Sequence, residues 1–329
     1  MVIKIHVEKR HIPVQLYNLT GGHKMGSLLS LKCRKLVIRQ GFEGSLEGPQ
    51  SASLRIDNHT VVKVSQLGKR FVEISSDIET TINDLFLNFQ EFEKFLMLFD
   101  GRFFEIEELD VYGENGDAIE NSAEVLKEMQ KKRLKCFNSN RIFVYPKLKL
   151  SSFGKVVSEG IYKEWLKLVD DIELAHNMYL YAISDNGMTS DINFAFLVEL
   201  AEPYAELIKD RKGIFYSTNM DKRATLAECL ESLMLTYGGD IYQRELNNKW
   251  SSFIQTSKNS RVKIMHIKKN QGNFYDRNHC VFYSMKLHLL YRRILLELIG
   301  VPYDCYRDKL QAAVKLVDAR LDDIDRKNT

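Results

Sequence analysis

No two cysteines in this chain stand at C-x-x-C spacing. The five present (Cys33, Cys136, Cys229, Cys280 and Cys305) are odd in number and scattered. That pattern argues against a disulfide framework and a thiolate zinc site, and it fits a reducing compartment. Long apolar runs are missing too. The best candidate, FAFLVELAEPYAELI, is interrupted by three glutamates and a proline, so it does not read as a membrane span. The opening MVIKIHVEKRH has neither an apolar leader core nor a small-residue cleavage site. The expectation is a cytoplasmic protein with no membrane contact.

Charge of one sign is also scarce. Forty-seven basic residues against 44 acidic ones leave +3, so any nucleic-acid contact must come from a local patch. The glycine-rich LTGGHKMGS lacks the Gly-Lys-Ser/Thr ending of a P-loop, which removes support for nucleoside triphosphate binding. Internal repeats and low-complexity tracts are absent. What remains is an ordinary globular composition, 44% apolar and 28% charged, over 329 residues, a length suited to two domains.

The chain changes its hydrophobic period near its middle. VIKIHV at 2–7, PVQLY at 13–17, LVIR at 36–39, TVVKVSQ at 60–66 and RFVEIS at 70–75 alternate or are β-branched, with Gly- and Asn-rich turns between them. NFQEFEKFLMLF at 88–99 reads as a helix, RFFEIEELDVYG as a strand and RIFVYPKLKL at 141–150 as another strand. SAEVLKEMQKKRLKC fits either state. From about residue 155 the period is helical. Ile161 to Ile172 continues through MYLYAI as one long helix, and Ile192 to Ile208 forms another that Pro203 kinks. Leu226 to Tyr237 is a third, with Gly238-Gly239 as its stop. Asn248–Lys268 is a fourth, Leu287–Leu298 a fifth, and DKLQAAVKLVDARLDDI a surface-packed tail. The expected class is α+β: a β-rich domain over residues 1–152 with one or two helices, then a helical bundle over 153–329.

One polar pair in the bundle invites a chemical reading. RVKIMH places Arg261 five residues before His266, in a stretch with no acidic residue between Glu245 and Asp276. Lys258, Lys263, Lys268 and Lys269 surround the pair. Phe274, Tyr275 and Arg277 follow, able to stack on bases and contact phosphates or to anchor a loop. A neutral-range imidazole can take a proton from a ribose 2′-OH or give one to the leaving 5′-oxygen, while a guanidinium neutralises the phosphate. The bland alternative is two polar side chains on a wet helix face. An offset of five turns the two side chains about 140° apart on an ideal helix. Their meeting requires the helix to end or distort between them, or a second copy to complete the site.

These residues resemble those of the Apea-like HEPN ribonucleases, helical bundles whose signature is an arginine, four to six residues, then a histidine. RVKIMH fits that spacing. FAFLVELAEPYAEL resembles the family's helix ending in a glutamate before an aromatic, which places that glutamate at Glu202. IYKEWLKLVDDIELAHNMYLYAI resembles the preceding helix with its tryptophan at Trp165, and YSMKLHLLYRRILLELIGV the closing apolar helix. LFLNFQEFEKFLMLFDG resembles part of the domain that these proteins carry in front. The resemblance implies a homodimer through the bundle and endoribonuclease action without metal or cofactor, leaving a 2′,3′-cyclic phosphate. It also implies a part in anti-phage defence that halts infected cells, with tRNA one candidate target and a phage-derived or cellular trigger sensed by the β-rich domain. Arg261 and His266 are the expected catalytic residues, with Glu202 and Asn259 in support. Val262 stands where the family usually has a polar residue, and the rival reading is an inactive scaffold that binds RNA or protein.

The remaining polar residues read as structural. Arg277-Asn278-His279 suggests loop contacts or capping. His176 and His288 read as helix-surface histidines, Asp170, Asp171 and Glu173 as a solvated face, and Trp165 and Trp250 as core residues.

Overall fold

The computed structural model of the chain describes residues 28–41, 50–67, 69–101, 103–133, 156–184, 188–214, 224–247, 250–266 and 272–328. Five strands come first: β1 (Lys32–Gln40), β2 (Gln50–Arg55), β3 (Thr60–Leu67), β4 (Lys69–Thr81) and β5 (Ile106–Tyr112). They make one antiparallel sheet in the order β2-β3-β4-β1-β5. Its register follows from the alternation of its side chains. Leu36 lies opposite Ile74 and Val111, Ile38 opposite Val72 and Leu109, while Val62 and Val64 extend the row onto β3. None of these is more than 5% exposed, so a slip of one residue would turn the whole row into water.

Helix α1 (Ile82–Asp100) packs on that row. Thr81 and Asp84 close a capping box at its start, and Gly101, at φ 75°, ends it in the left-handed region that a side chain would strain. Its five phenylalanines at 86, 89, 92, 95 and 99 are all buried, too many for one helix face. The surplus meets the bundle: Phe92 and Phe95 stand 5.7 and 5.3 Å from Tyr162, and Phe95 stands 6.2 Å from Trp165. The stretch that fitted either state is helix α2 (Ser122–Lys132), which buries Val125 and Met129.

The bundle comprises α3 (Glu159–Asp171), α4 (Glu173–Ile183), α5 (Ser190–Glu199), α6 (Ala201–Lys212), α7 (Leu226–Tyr237), α8 (Gln243–Asn247), α9 (Trp250–His266), α10 (Arg277–Leu298) and α11 (Arg307–Asn328). This is the expected α+β arrangement, an antiparallel sheet followed by helices. The strands expected at 2–7, 13–17 and 141–150, and the boundary at 152/153, lie outside the described residues. The two halves share one continuous apolar core.

Two helix expectations need correction, and a third holds for a different reason. The long helix from Ile161 through MYLYAI is two helices: at Ile172 the backbone leaves helical geometry, with its N–H on the Val169 carbonyl three residues back. The break precedes Pro203 rather than arising at it. Helix α5 ends at Leu200, and Pro203 sits in the first turn of α6, where a missing N–H leaves no bond unmade. Helix α7 does stop at Gly238, yet its φ is −101°. A side chain is excluded there by proximity, because a Cβ would lie 2.8 Å from the Met234 carbonyl oxygen. Of the tryptophans, Trp165 is fully buried, whereas Trp250 is half-buried with its indole N–H on Glu231, 3.0 Å away.

One fully buried cation locks the halves together. Arg292 of α10 donates from Nε and Nη2 to the carbonyl of Leu98 (3.1 and 2.9 Å) and from Nη2 to that of Phe99 (3.0 Å). Those carbonyls belong to the last turn of α1, which has no helical partners for them. The positive charge also faces the negative end of the helix dipole. Burial pulls Arg292 down to about 10, with Tyr179 and Asp100 opposing, so it stays charged at neutral pH. Replacing it leaves buried acceptors unpaired. Arg292→Met should lower the unfolding free energy by about 3 kcal/mol in denaturant titration. Lys63→Met, which removes an exposed ion pair with Glu73 on the sheet, should cost under about 1 kcal/mol. Equal losses would refute the lock.

Candidate active site

Helix α9 presents Phe253, Ile254, Ser257 and Ser260 to the core, a one-sided pattern in which small serines let α5 come close. Ser260 then fastens the loop that follows. Its hydroxyl donates to the Thr256 carbonyl (2.8 Å) and accepts the Tyr275 N–H (2.8 Å). One residue earlier, Asn259 Nδ2 donates to the Asn273 carbonyl (3.2 Å), and its Oδ1 accepts from Gln255 Nε2 (2.8 Å). Residues 273–275 are therefore fastened to the last turns of α9 at Asn259 and Ser260.

Arg261 and His266 meet. Arg261 Nη1 lies 3.2 Å from His266 Nε2, while its Nε donates to Glu199 Oε2 at the end of α5. A guanidinium has only donors, so Nε2 accepts in this contact and presents its lone pair to the arginine. Helix α9 stays regular up to His266, its last residue. The 140° offset is thus overcome by the reach of the arginine side chain, with no break between the two and within a single chain. Arg261 is 19% exposed and Glu199 32%, whereas His266 faces solvent. The carboxylate removes the guanidinium's rotational freedom and leaves the imidazole approachable.

The supporting carboxylate is one turn away from the expected one. Glu202 lies in the first turn of α6, half-buried on the wall of a cleft, and the residue on Arg261 is Glu199. The two glutamates are three residues apart, so helical phase alone cannot choose between them; the break at Leu200 decides. Asn259 acts on the loop backbone rather than on Arg261.

The expected RNA-contacting residues divide. Lys263 Nζ stands 2.9 Å from the centroid of the Phe274 ring, which is 45% exposed, so a cation and an aromatic face share one surface. Lys258 is half-buried on α9, and Arg277 is exposed at the start of α10. Tyr275 turns inward instead. Its ring lies 4.6 Å from Tyr283, 5.6 Å from His279 and 5.9 Å from Phe194, so it anchors the loop in an aromatic cluster. Lys268 and Lys269 lie outside the described residues. His279 is held at the cap rather than forming it: Asp276 is the N-cap of α10, its Oδ1 accepting the His279 N–H (2.9 Å) and lying 2.9 Å from His279 Nδ1, while His279 Nε2 is 3.0 Å from Asp325 on α11. Among the described residues no group of three or more His, Cys, Asp or Glu is placed to hold a metal ion, and no helix is long and apolar enough to cross a membrane.

Residues 184–305 match the model of the family described as Apea-like HEPN, a span that contains Glu199, Arg261, His266 and residues 273–275. Comparison with curated proteins returned no match, and comparison with solved structures returned none either.

His176 and His288 correct the expectation of surface histidines, for both are fully buried. His176 meets the Trp165 ring edge-on at 4.7 Å, and neither of its ring nitrogens has a hydrogen bond. His288 Nδ1 lies 2.6 Å from the Tyr179 hydroxyl. Helical spacing among polar neighbours concealed them: His176 lies on the buried face of α4, and α10 is enclosed over most of its length. Burial pulls His176 down to about 3, with Lys94 adding to the effect. Burial also holds His288 well below its ordinary value, helped by Arg292 and opposed by the Gly101 backbone. A histidine lowered in the folded state is protonated first in the unfolded chain, so its neutral form supports stability above about pH 6.5. As pH falls below that value toward 3, His176 should remove on the order of 1 kcal/mol per pH unit, and His288 acts in the same direction. His176→Phe should flatten the fall measured by denaturant titration between about pH 6.5 and 4.5; an unchanged slope would show that His176 does not contribute.

Proposed function

We propose that the chain, whose residues 184–305 match the Apea-like HEPN family, is an endoribonuclease that cuts RNA at the Arg261–His266 pair. The 3.2 Å approach of Arg261 Nη1 to His266 Nε2 is the observation that carries this reading. A ribose-phosphate linkage seated there would meet a proton-transfer group and a fixed cation together. His266 moves a proton at the 2′-hydroxyl or at the departing 5′-oxygen. The 2′-oxygen attacks the adjacent phosphorus, the P–O5′ bond breaks, and the products are a 2′,3′-cyclic phosphate and a 5′-hydroxyl. Arg261, held by Glu199, stabilises the charge that builds on the non-bridging oxygens. DNA lacks the attacking hydroxyl and is not cut. A single imidazole cannot serve both ends of the reaction at once, which supports a homodimer whose second copy adds another acid–base group. The exposed Lys263–Phe274 surface beside the pair suits single-stranded RNA, tRNA loops included. Anti-phage defence is the setting that the family suggests, with the sheet-bearing half in the position of trigger sensor. Val262, apolar directly after Arg261, favours the second reading, a scaffold that binds RNA or protein without cutting it.

The purified chain should cleave total RNA in EDTA and leave cyclic phosphate ends. Arg261→Ala and His266→Ala should each reduce cleavage by about a hundredfold or more. Glu199→Gln should cost about tenfold by loosening the arginine, with Glu202→Gln near wild type. Cutting at a position carrying 2′-deoxyribose would refute the mechanism. Inactivity of the wild type, as a dimer and on every RNA class, would favour the scaffold.

A further inference from the structure

A cleft of about 670 Å³ opens beside the Arg261–His266 pair, and Glu199 belongs to both. One wall is the rod of α5 and α6, which offers Glu199, Glu202, Glu206 and Asp210. Glu202, Glu206 and Asp210 are spaced four apart on one face of α6, and Glu199 at the end of α5 lines the same cleft. The facing wall, at the end of α3 and the start of α4, adds Asp171 and Glu173. Arg211, the only cation among the lining residues, is already engaged by Asp171. Like charges at four-residue spacing weaken a helix, and here they are gathered into a concavity rather than spread over the surface. Between them lies an apolar floor of Leu200, Pro203, Leu207 and Met178, with Leu174 77% exposed at the lip.

Even with Asp171 on Arg211 and Glu199 on Arg261, the carboxylates lining the cleft outnumber its cations and repel a phosphate backbone, so the cleft is not a track for RNA. Carboxylates above an apolar floor match a long side chain with an aliphatic stem and a cationic head. The volume falls in the range of small binding sites, about 300–1,000 Å³, which admits a short segment but not a folded domain. We propose that this cleft is the docking site for a lysine- or arginine-rich amphipathic segment of a partner protein, whose cations neutralise the acidic wall and whose apolar residues cover Leu174 and Met178. Because Glu199 also holds Arg261, docking competes for that carboxylate and loosens the guanidinium beside His266. This regulatory consequence rests on the nuclease reading; the docking does not.

The test uses the full chain and a labelled twelve-residue lysine/leucine peptide of amphipathic helical pattern, followed by fluorescence anisotropy. Saturable binding is expected, weakened by salt and by about tenfold in the Glu206→Gln, Asp210→Asn double variant, whose exposed positions leave folding intact by circular dichroism. His266→Ala should bind as the wild type does. Peptide should shift the His266 ring resonances in the wild type but not in Glu199→Gln. Absence of binding, or equal binding by the double variant, overturns the proposal. So does equally tight binding of spermidine, which would make the cleft a small-polycation site. A wild-type dimer that the double variant dissolves, with no peptide bound, would assign the cleft to a second copy and likewise overturn it. RNA cleavage is measured separately: cutting without peptide binding sinks the docking alone, and peptide binding without cutting supports the docking while the nuclease reading fails.

Discussion

A guanidinium held between a carboxylate on one helix and an imidazole at the end of another is the contact on which the functional architecture depends. Arg261 cannot be placed by α9 alone, because a long side chain near a helix end samples many rotamers, and ordering it costs entropy. Glu199 supplies the missing constraint through a charge-assisted hydrogen bond to Nε, which leaves Nη1 aimed at His266. The position of Glu199 depends in turn on α5 ending at Leu200, and on the serines that let α5 and α9 come together. An imidazole in water and an arginine without its carboxylate would be two independent surface residues.

Helix α10 connects this site to the rest of the molecule. Its 22 residues span about 33 Å. At one end Asp276 caps the helix, and the loop just before it is tied to α9 through Ser260 and Asn259. Farther along, Arg292 grips the last carbonyls of α1, the helix that covers the sheet. His288 and Tyr179 fill the space between with a buried, neutral polar contact. The sheet-bearing half and the site are therefore packed onto one helix, and a displacement of α1 has a continuous path of buried groups toward the loop that carries Phe274.

Much of the secondary structure is legible in the sequence because it is periodic. LVIR, TVVKVSQ and RFVEIS alternate and are strands; DKLQAAVKLVDARLDDI repeats its apolar residues at helical spacing and buries Leu310, Val314, Val317 and Leu321. Breaks are less visible. Ile172 and Leu200 interrupt helices without glycine or proline at the break, and the one proline nearby, Pro203, is accommodated in a first turn. The Arg261–His266 pair can be found from its spacing and its acid-free neighbourhood. Its carboxylate cannot, since Glu199 and Glu202 are equivalent until the end of α5 is known. Buried histidines are hidden for a related reason: composition gives no sign of which face of α4 is buried or that α10 is enclosed, and an imidazole without hydrogen bonds to both nitrogens breaks the usual rule that buried polar groups are satisfied.

The near-zero net charge of the chain conceals a division of charge at this seam. On one side of the Glu199–Arg261 pair the cleft collects five further carboxylates; on the other, α9 carries Lys258 and Lys263, with no acid in the sequence between Glu245 and Asp276. Were a polyanion to bind as proposed, it would be repelled from one face and attracted to the other, which would orient it on approach to His266. The ion pair at the seam belongs to both fields. A phosphate that binds Arg261 shifts the guanidinium's bonding away from Glu199, and a cation that engages Glu199 does the same from the opposite side. Either approach acts on the same guanidinium, because Glu199 and His266 are bound to different nitrogens of one planar group. Under the two proposals, that shared group would make occupancy of the acidic cleft and geometry at His266 two readings of a single equilibrium.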